Sequence, residues 1–252
     1  MNRDEVLAAF DRQVRAGQGE RAGRVVRAAA EGGWNGVLWS DLDESTADAA
    51  IAEQVRHFTS LNRAFEWKLY AHDRPDDLAK RLLAAGFTAE PEESLMVARV
   101  GDVPTDARPP EGVHLRPVED EAGVDLLMDA HDRAFGESAP GLREELLARL
   151  AERPESLAAV VAMAGDVPVS GARVELEPSV DFAGLWGGGT VAAWRGRGVY
   201  RALIAYRARI AAERGYRYLQ VDASSESRPI LLRLGFAQLT TTTPYMYRPL
   251  VS

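Results

Sequence analysis

Residues 184–215, GLWGGGTVAAWRGRGVYRALIAYRARIAAERG, constrain the fold more than any other stretch of the chain. A strand-like run (Leu185, Trp186, Thr190, Val191) enters the turn Arg195-Gly196-Arg197-Gly198. A helix leaves that turn with Val199, Leu203, Tyr206 and Ile210 spaced to share one apolar face. The two glycines let backbone N–H groups approach a ligand without a Cβ in the way, and the helix start adds unpaired donors and partial positive charge. Arg195, Arg197 and Arg201 bring full charge to the same point, so the pattern reads as a phosphate cradle. Gly215 suits the helix stop, and residues 218–221 read as the next strand, ending at Asp222.

Two phosphate motifs fit poorly. GRGVYR opens like a dinucleotide fingerprint, and Asp222 stands about where a ribose-binding acid belongs, but Arg201 occupies the third-glycine position. No G-x-x-x-x-G-K-[ST] string occurs. Arg195 to Tyr200 resembles instead the Q/R-x-x-G-x-G/A pyrophosphate loop of the GNAT superfamily of acyl-CoA-dependent N-acetyltransferases. Arg195 takes the Q/R place and Gly198 the first required glycine; Tyr200 departs from the usual glycine or alanine. The resemblance extends through residues 219–236, LQVDASSESRPILLRLGF, and covers about the last 140 residues.

That resemblance implies an α/β (α+β) GNAT fold, a mixed central sheet flanked by helices, with acetyl-CoA as co-substrate. The pyrophosphate would lie on Arg195, Gly196, Arg197, Gly198, Val199, Tyr200 and Arg201. The pantetheine arm would run along Gly188, Gly189, Thr190 and Val191, between two strands that splay apart, with Ser224 touching the same arm. The three consecutive glycines suit close backbone approach, with a bulged, bent strand as the alternative.

Shifting one half of the chain onto the other superposes Asp73 on Asp222, Leu82-Leu83 on Leu231-Leu232 and Gly86-Phe87 on Gly235-Phe236. Both copies read as strand, acidic turn, proline-started helix and Gly-Phe, followed by apolar runs at 95–100 and 245–250. The expected organisation is therefore two tandem GNAT-like domains: a degenerate one at 1–100, a Pro- and charge-rich linker at 101–112, and the acetyltransferase domain at 113–252. In the first domain, helices are expected at 5–14, 20–30, 47–58 and 75–84 and strands at 37–40 and 65–70, with 17–23 as a helix–helix turn. In the second, strands are expected at 113–117, 157–164, 167–176 and 185–191, with helices at 119–135 and 142–151.

Composition narrows the chemistry. With no cysteine the chain has no thiol nucleophile or thiolate metal site, and its four histidines lack metal-ligand spacing, so no metal is expected. A net charge of −8 argues against general nucleic-acid binding and favours cationic substrates. No apolar run is long enough to span a bilayer and the N-terminus has no signal-peptide core, so the expectation is a cytoplasmic protein without a membrane partner. Two lysines against 28 arginines fit a high-GC bacterial genome.

For acyl transfer to a primary amine, of a small molecule or a peptide N-terminus, a base must remove the ammonium proton and a donor can help the thiolate leave. The family often places a tyrosine four residues before the glycine of Gly-Phe; here that place is Leu231. Tyr245 is the candidate acid, with Tyr247, Ser225, Ser227 and solvent as substitutes, and Glu175, beside Glu177 and with Asp181 entering the next strand, is the candidate base. A rival expectation is a sensor or scaffold that binds acyl-CoA without turnover.

Overall fold

The computed structural model describes residues 1–29, 33–136, 138–139 and 141–249. In chain order it contains α1 (Arg3–Phe10), β1 (Glu20–Ala22), β2 (Val25–Ala29), β3 (Asn35–Ser40), α2 (Ala47–Ser60), β4 (Phe65–Tyr70), α3 (Leu78–Ala84), β5 (Thr88–Ala89) and β6 (Glu93–Arg99). There follow β7 (Val113–Val118), α4 (Glu121–Phe135), α5 (Leu142–Glu152), β8 (Leu157–Ala164), β9 (Val167–Glu175), β10 (Phe182–Thr190), α6 (Val199–Glu213), β11 (Tyr218–Ala223), α7 (Arg228–Arg233) and β12 (Ala237–Tyr247). These elements form two compact units: Met1–Met96 with Asp222–Arg228 and Gln238–Ser252, and Val97–Val221 with Pro229–Ala237.

In the first unit β2 pairs antiparallel with β1 and β3, β4 runs parallel to β3, and β12 runs antiparallel to β4 and β5. Its core gathers Val25, Val37, Ile51, Phe58, Phe65, Trp67, Leu82, Phe87 and Tyr245, with Phe58 and Phe65 stacked at 4.2 Å. The helix expected over 20–30 is instead the β1–β2 hairpin, and 17–23 includes a strand rather than a helix–helix turn; Ala30 lies outside the described residues. Alanine and arginine there favour a helix by propensity, but Val25 and Val26 become fully buried in the sheet and Gly23, at φ +60°, makes the turn. The apolar run expected at 245–250 belongs to a strand that starts at Ala237, its threonines suiting a pleated surface; Leu250 is outside the described residues.

Glu93, half-buried on β6, carries a titration signature. Burial pushes its carboxyl up from 4.5 to about 7, against the pull of Lys68 and with help from Asp222 and Glu66. A raised carboxyl favours the protonated fold, so its stabilising contribution is complete below about pH 4.5 and is lost as pH rises through about 7. Glu93→Gln should therefore flatten the decline in first-unit stability between about pH 5 and about pH 8, read by hydrogen exchange on β4. Identical slopes in the two proteins would refute this.

The second unit is a sheet in the order β7-β8-β9-β10-β11, antiparallel except for the parallel β10–β11 pair. Side chains alternate along β8: Leu157, Ala159, Val161 and Met163 meet α4 and α5 through Leu127 and Leu146, while Val160 and Ala162 meet α6 through Val199 and Leu203. Asp120 caps α4 by accepting from the Gly123 N–H at 2.7 Å, and Gly136 closes it at φ +78°. Among the described residues no helix is long and apolar enough to cross a membrane.

Candidate functional site

The site is built around the end of β10. This strand pairs with β11 only from Phe182 to Gly184, against Tyr218 to Gln220, although β10 continues to Thr190. On its other edge the register with β9 shifts between Trp186 and Gly189, and Gly187 sits in the left-handed region at φ +64°. That bulge bends β10, and no β10–β11 register pair follows Gly184. Backbone polar groups beyond that point need other partners. Some are supplied by side chains: Ser170 Oγ donates to the Gly189 carbonyl at 2.6 Å and Arg195 Nε to the Thr190 carbonyl at 3.0 Å.

Past Thr190 the chain makes a short 3-10 turn (Ala192–Trp194) and then the glycine turn, with Gly196 at φ +73° and Gly198 at φ +89°. Gly198 is the N-cap of α6, and no side chain caps this helix end. Ala202 N–H takes the Gly198 carbonyl at 3.1 Å, which leaves the N–H groups of Val199, Tyr200 and Arg201 without an intrahelical acceptor. A Cβ at Gly196 would meet nothing within 4 Å, and one at Gly198 only the tip of Arg201 at 3.9 Å, so the approach is open. Arg195, Arg197 and Arg201 are exposed, and among the described residues none of them pairs with a carboxylate. Arg197 lies over the Trp194 ring at 4.9 Å, and Arg195 Nη2 reaches the Ala134 carbonyl at 3.3 Å, which ties the loop to the end of α4. Three cations, uncapped donors and open glycines thus converge on one exposed point, a geometry that fits a pyrophosphate.

The three consecutive glycines of β10, Gly187 to Gly189, answer to the protein's own packing. A Cβ at Gly188 would come within 2.8 Å of the Tyr200 ring and 3.5 Å of Arg207 Nη2. At Gly189 it would meet Phe135 at 2.6 Å and Ala134 at 2.9 Å, and at Gly187 it would meet Arg173 Nη1 at 3.1 Å. Tyr200, the departure from the family loop, therefore turns its ring down onto β10, and burial raises its phenol. Thr190 Oγ1 lies 2.9 Å from Ser170 Oγ.

The residues proposed for catalysis fall in different units. Glu175, at the end of β9, has Oε1 held by Arg173 Nε at 3.1 Å and Arg149 Nη1 at 3.2 Å, with Arg173 6.0 Å from the Trp186 ring. Tyr245 belongs to the first unit, paired with Trp67 and packed into that unit's aromatic core. Ser224 is exposed and engaged in a local turn, its Oγ 3.3 Å from both the N–H and the hydroxyl of Ser227. Leu231 is fully buried. Asp222, the would-be ribose acid, is a buried partner of Lys68 in the first unit, so it is not free for a nucleotide.

Sequence reasoning missed Arg207. It lies four residues from Leu203 and seven from Tyr200, hence on the sheet-facing side of α6, yet in a helix rich in alanine and arginine it reads as one more solvated charge.

No protein-family model matches the chain, and no curated protein is similar to it in sequence. Its structure is similar to that of a GCN5-related N-acetyltransferase from Kribbella flavida, with a TM-score of 0.69 and 20% identity over 97% of this chain and 93% of that one. It is also similar to a GCN5-related N-acetyltransferase from Sphaerobacter thermophilus (TM-score 0.64, 15% identity, 99% and 87% covered). A tandem GNAT protein from the clavulanic acid biosynthesis pathway matches at a TM-score of 0.56 and 12% identity, with 92% and 82% covered. The mixed sheet and its flanking helices are thus those of a chain with the GNAT fold.

Proposed function

We propose that the chain is an N-acetyltransferase that moves the acetyl group of acetyl-CoA directly to the primary amine of a small molecule or a peptide N-terminus. The observation that carries this is the α6 N-terminus: no capping side chain, two open glycines and three cations without carboxylate partners, in a chain of net charge −8. Backbone N–H groups from Gly196 to Arg201 hold the pyrophosphate, with Arg195, Arg197 and Arg201 neutralising it. The end of β10 from Gly188 to Thr190, which makes no register pair with β11, and the Val191 that follows it offer the pantetheine arm those backbone groups not already taken by Ser170, Arg195 and Val169. Acetyl-CoA supplies an activated acyl group as a thioester, whose thiolate, like a cysteine thiol with an ordinary pKa of about 8.5, leaves with little assistance. The second unit carries this site, with 1–100 a GNAT-like half that lacks the loop. The acetyltransferases that this fold resembles make the same assignment reasonable at the level of fold.

The acceptor must arrive as, or become, a free amine. Glu175 pairs in register with Gly184 of β10, but its commitment to two guanidiniums supports a role in fixing Arg173 beside Trp186 more than one in taking a proton. Glu175→Gln is therefore expected to lower kcat/KM less than about tenfold; a loss of about 10² or more would make Glu175 the base.

Calorimetry with acetyl-CoA, followed by release of free CoA across a panel of amines, tests the proposal. Saturable, amine-dependent release establishes turnover. Tight binding with no release for any amine would favour a non-catalytic sensor, a reading that the aliphatic Leu231 motivates.

A further inference from the structure

Arg207 is 1% exposed, and no carboxylate among the described residues pairs with it. Its Nε donates to the Leu203 carbonyl at 3.1 Å, and its Nη1 to the carbonyls of Arg173 at 3.2 Å and Trp186 at 3.4 Å. Nη2 is buried with no hydrogen-bond partner among the described residues. Burial pushes this guanidinium down to about 10; Tyr200 pulls it back up, while the charge of Arg173 lowers it further, so it is still a cation at neutral pH. Three carbonyl dipoles solvate the charge in part, but a buried cation without an anion is one of the most unfavourable groups a core can hold. If Arg207 served only to satisfy carbonyls beside the bulge, a neutral donor would do so at lower cost.

The free donor faces a particular place. A Cβ on Gly188 would lie 3.5 Å from Nη2 and 2.8 Å from the Tyr200 ring, so the unpartnered end of the guanidinium sits against β10 beyond its last pair with β11, and the Tyr200 ring is the group a ligand must displace to reach it. Arg207 lies nine residues along α6 from Gly198, roughly 13 Å down the axis at 1.5 Å per residue. It therefore stands well away from the pyrophosphate cradle, toward the reacting end of a ligand that enters there and runs along β10.

We propose that Arg207 is the anion receptor of this cleft and recognises a carboxylate on the ligand. This rests on the acyltransferase reading and adds a substrate class to it. The carboxylate has two possible sources, a dicarboxylic acyl group carried on CoA or an amine acceptor that is itself an amino acid. Either supplies the full negative charge, and the two-oxygen geometry, for which a guanidinium is suited.

Calorimetry distinguishes these sources without turnover. Wild-type protein is titrated with CoA, acetyl-CoA and succinyl-CoA; then, saturated with CoA, it is titrated with a panel of amino acids and the matching amino acid amides. One carboxylate-bearing probe should bind at least about tenfold more tightly than its neutral counterpart, a difference of about 1.4 kcal/mol. Preference for succinyl-CoA assigns the acyl source; preference for an amino acid over its amide assigns the acceptor. Arg207→Met should reduce that preference to less than about twofold, and the ligand-free variant should melt at a higher temperature than wild type because the unpaired buried charge is gone. Arg207→Gln provides a second variant should the methionine form fail to fold. Equal binding of charged and neutral probes by the wild-type protein, or a preference that survives either substitution, overturns the proposal. Failure of CoA itself to bind would instead refute the acyltransferase reading.

Discussion

Gly198→Glu is expected to weaken acetyl-CoA binding at least about a hundredfold, which corresponds to about 2.7 kcal/mol. Gly198 is the N-cap of α6 and sits at φ +89°, open on its ligand side. A glutamate there acts in two ways. Its carboxylate repels the diphosphate, and it can itself accept from the first-turn N–H groups, so it competes for the donors the ligand would use. Any non-glycine residue also bears the left-handed backbone, at roughly 1–2 kcal/mol. Gly198→Ala carries that strain without the charge and separates the two effects: the alanine form should lose stability but retain most of its affinity. A folded glutamate variant with unchanged affinity by calorimetry would remove the loop from the site.

Much of this cleft could be read in the sequence because its signals are local. The glycine turn, the three arginines, the helix spacing and the Gly215 stop lie within about thirty consecutive residues, and each reports on backbone conformation rather than on distant partners. Strand and helix positions from Val113 to Glu213 followed for the same reason. What escaped depends on tertiary packing. Residues 20–30 look helical by composition, but Glu20–Ala22 and Val25–Ala29 are strands because Val25 and Val26 are worth more in a sheet than alanine is in a helix. Leu231 could be placed by its distance from Gly235, but not its complete burial; a tyrosine there would have to be forced into a packed interior, at a typical cost of about 1–3 kcal/mol. Tyr245 read as a residue of a second-domain strand, whereas β12 pairs with β4 and its ring fills the first unit's core. Gly188 and Gly189 read as backbone contacts for a ligand; that their Cβ space is taken by Tyr200 and Phe135 is a second reason for glycine there, and no spacing rule reveals it.

Arg15→Met is expected to cost the first unit about 3–5 kcal/mol, the largest stability effect of the substitutions considered. Arg15, 2% exposed, follows α1 in a π-helical turn, Asp11–Arg15. Its Nη2 donates to both carboxylate oxygens of Asp73 at 2.7 Å, its Nη1 to Asp11 at 2.8 Å and its Nε to the Leu38 carbonyl at 3.1 Å, and the guanidinium lies 3.9 Å from the centre of the Tyr70 ring. One buried cation thus joins the end of α1 to β3 and to the turn after β4. Methionine can fill much of the volume, but it leaves the carboxylate of Asp73, only 5% exposed, without a counter-charge. Replacing both partners, as Arg15→Met with Asp73→Asn, should recover part of the loss, because the penalty comes chiefly from the stranded charge. The pH dependence follows from Asp11: burial pushes its carboxyl up, but hydrogen bonds from His72 and Arg15 outweigh that and hold it below its ordinary 3.8. A carboxyl lowered in the fold stabilises above its unfolded value, and that contribution is lost as pH falls through the folded value. Wild-type protein should therefore lose stability as pH drops below about 4, more steeply than Arg15→Met, which has already lost part of what holds Asp11 ionised. Hydrogen exchange along β4 reads the first unit directly; protection unchanged by Arg15→Met would show that Asp73 finds water or another donor when the guanidinium is gone.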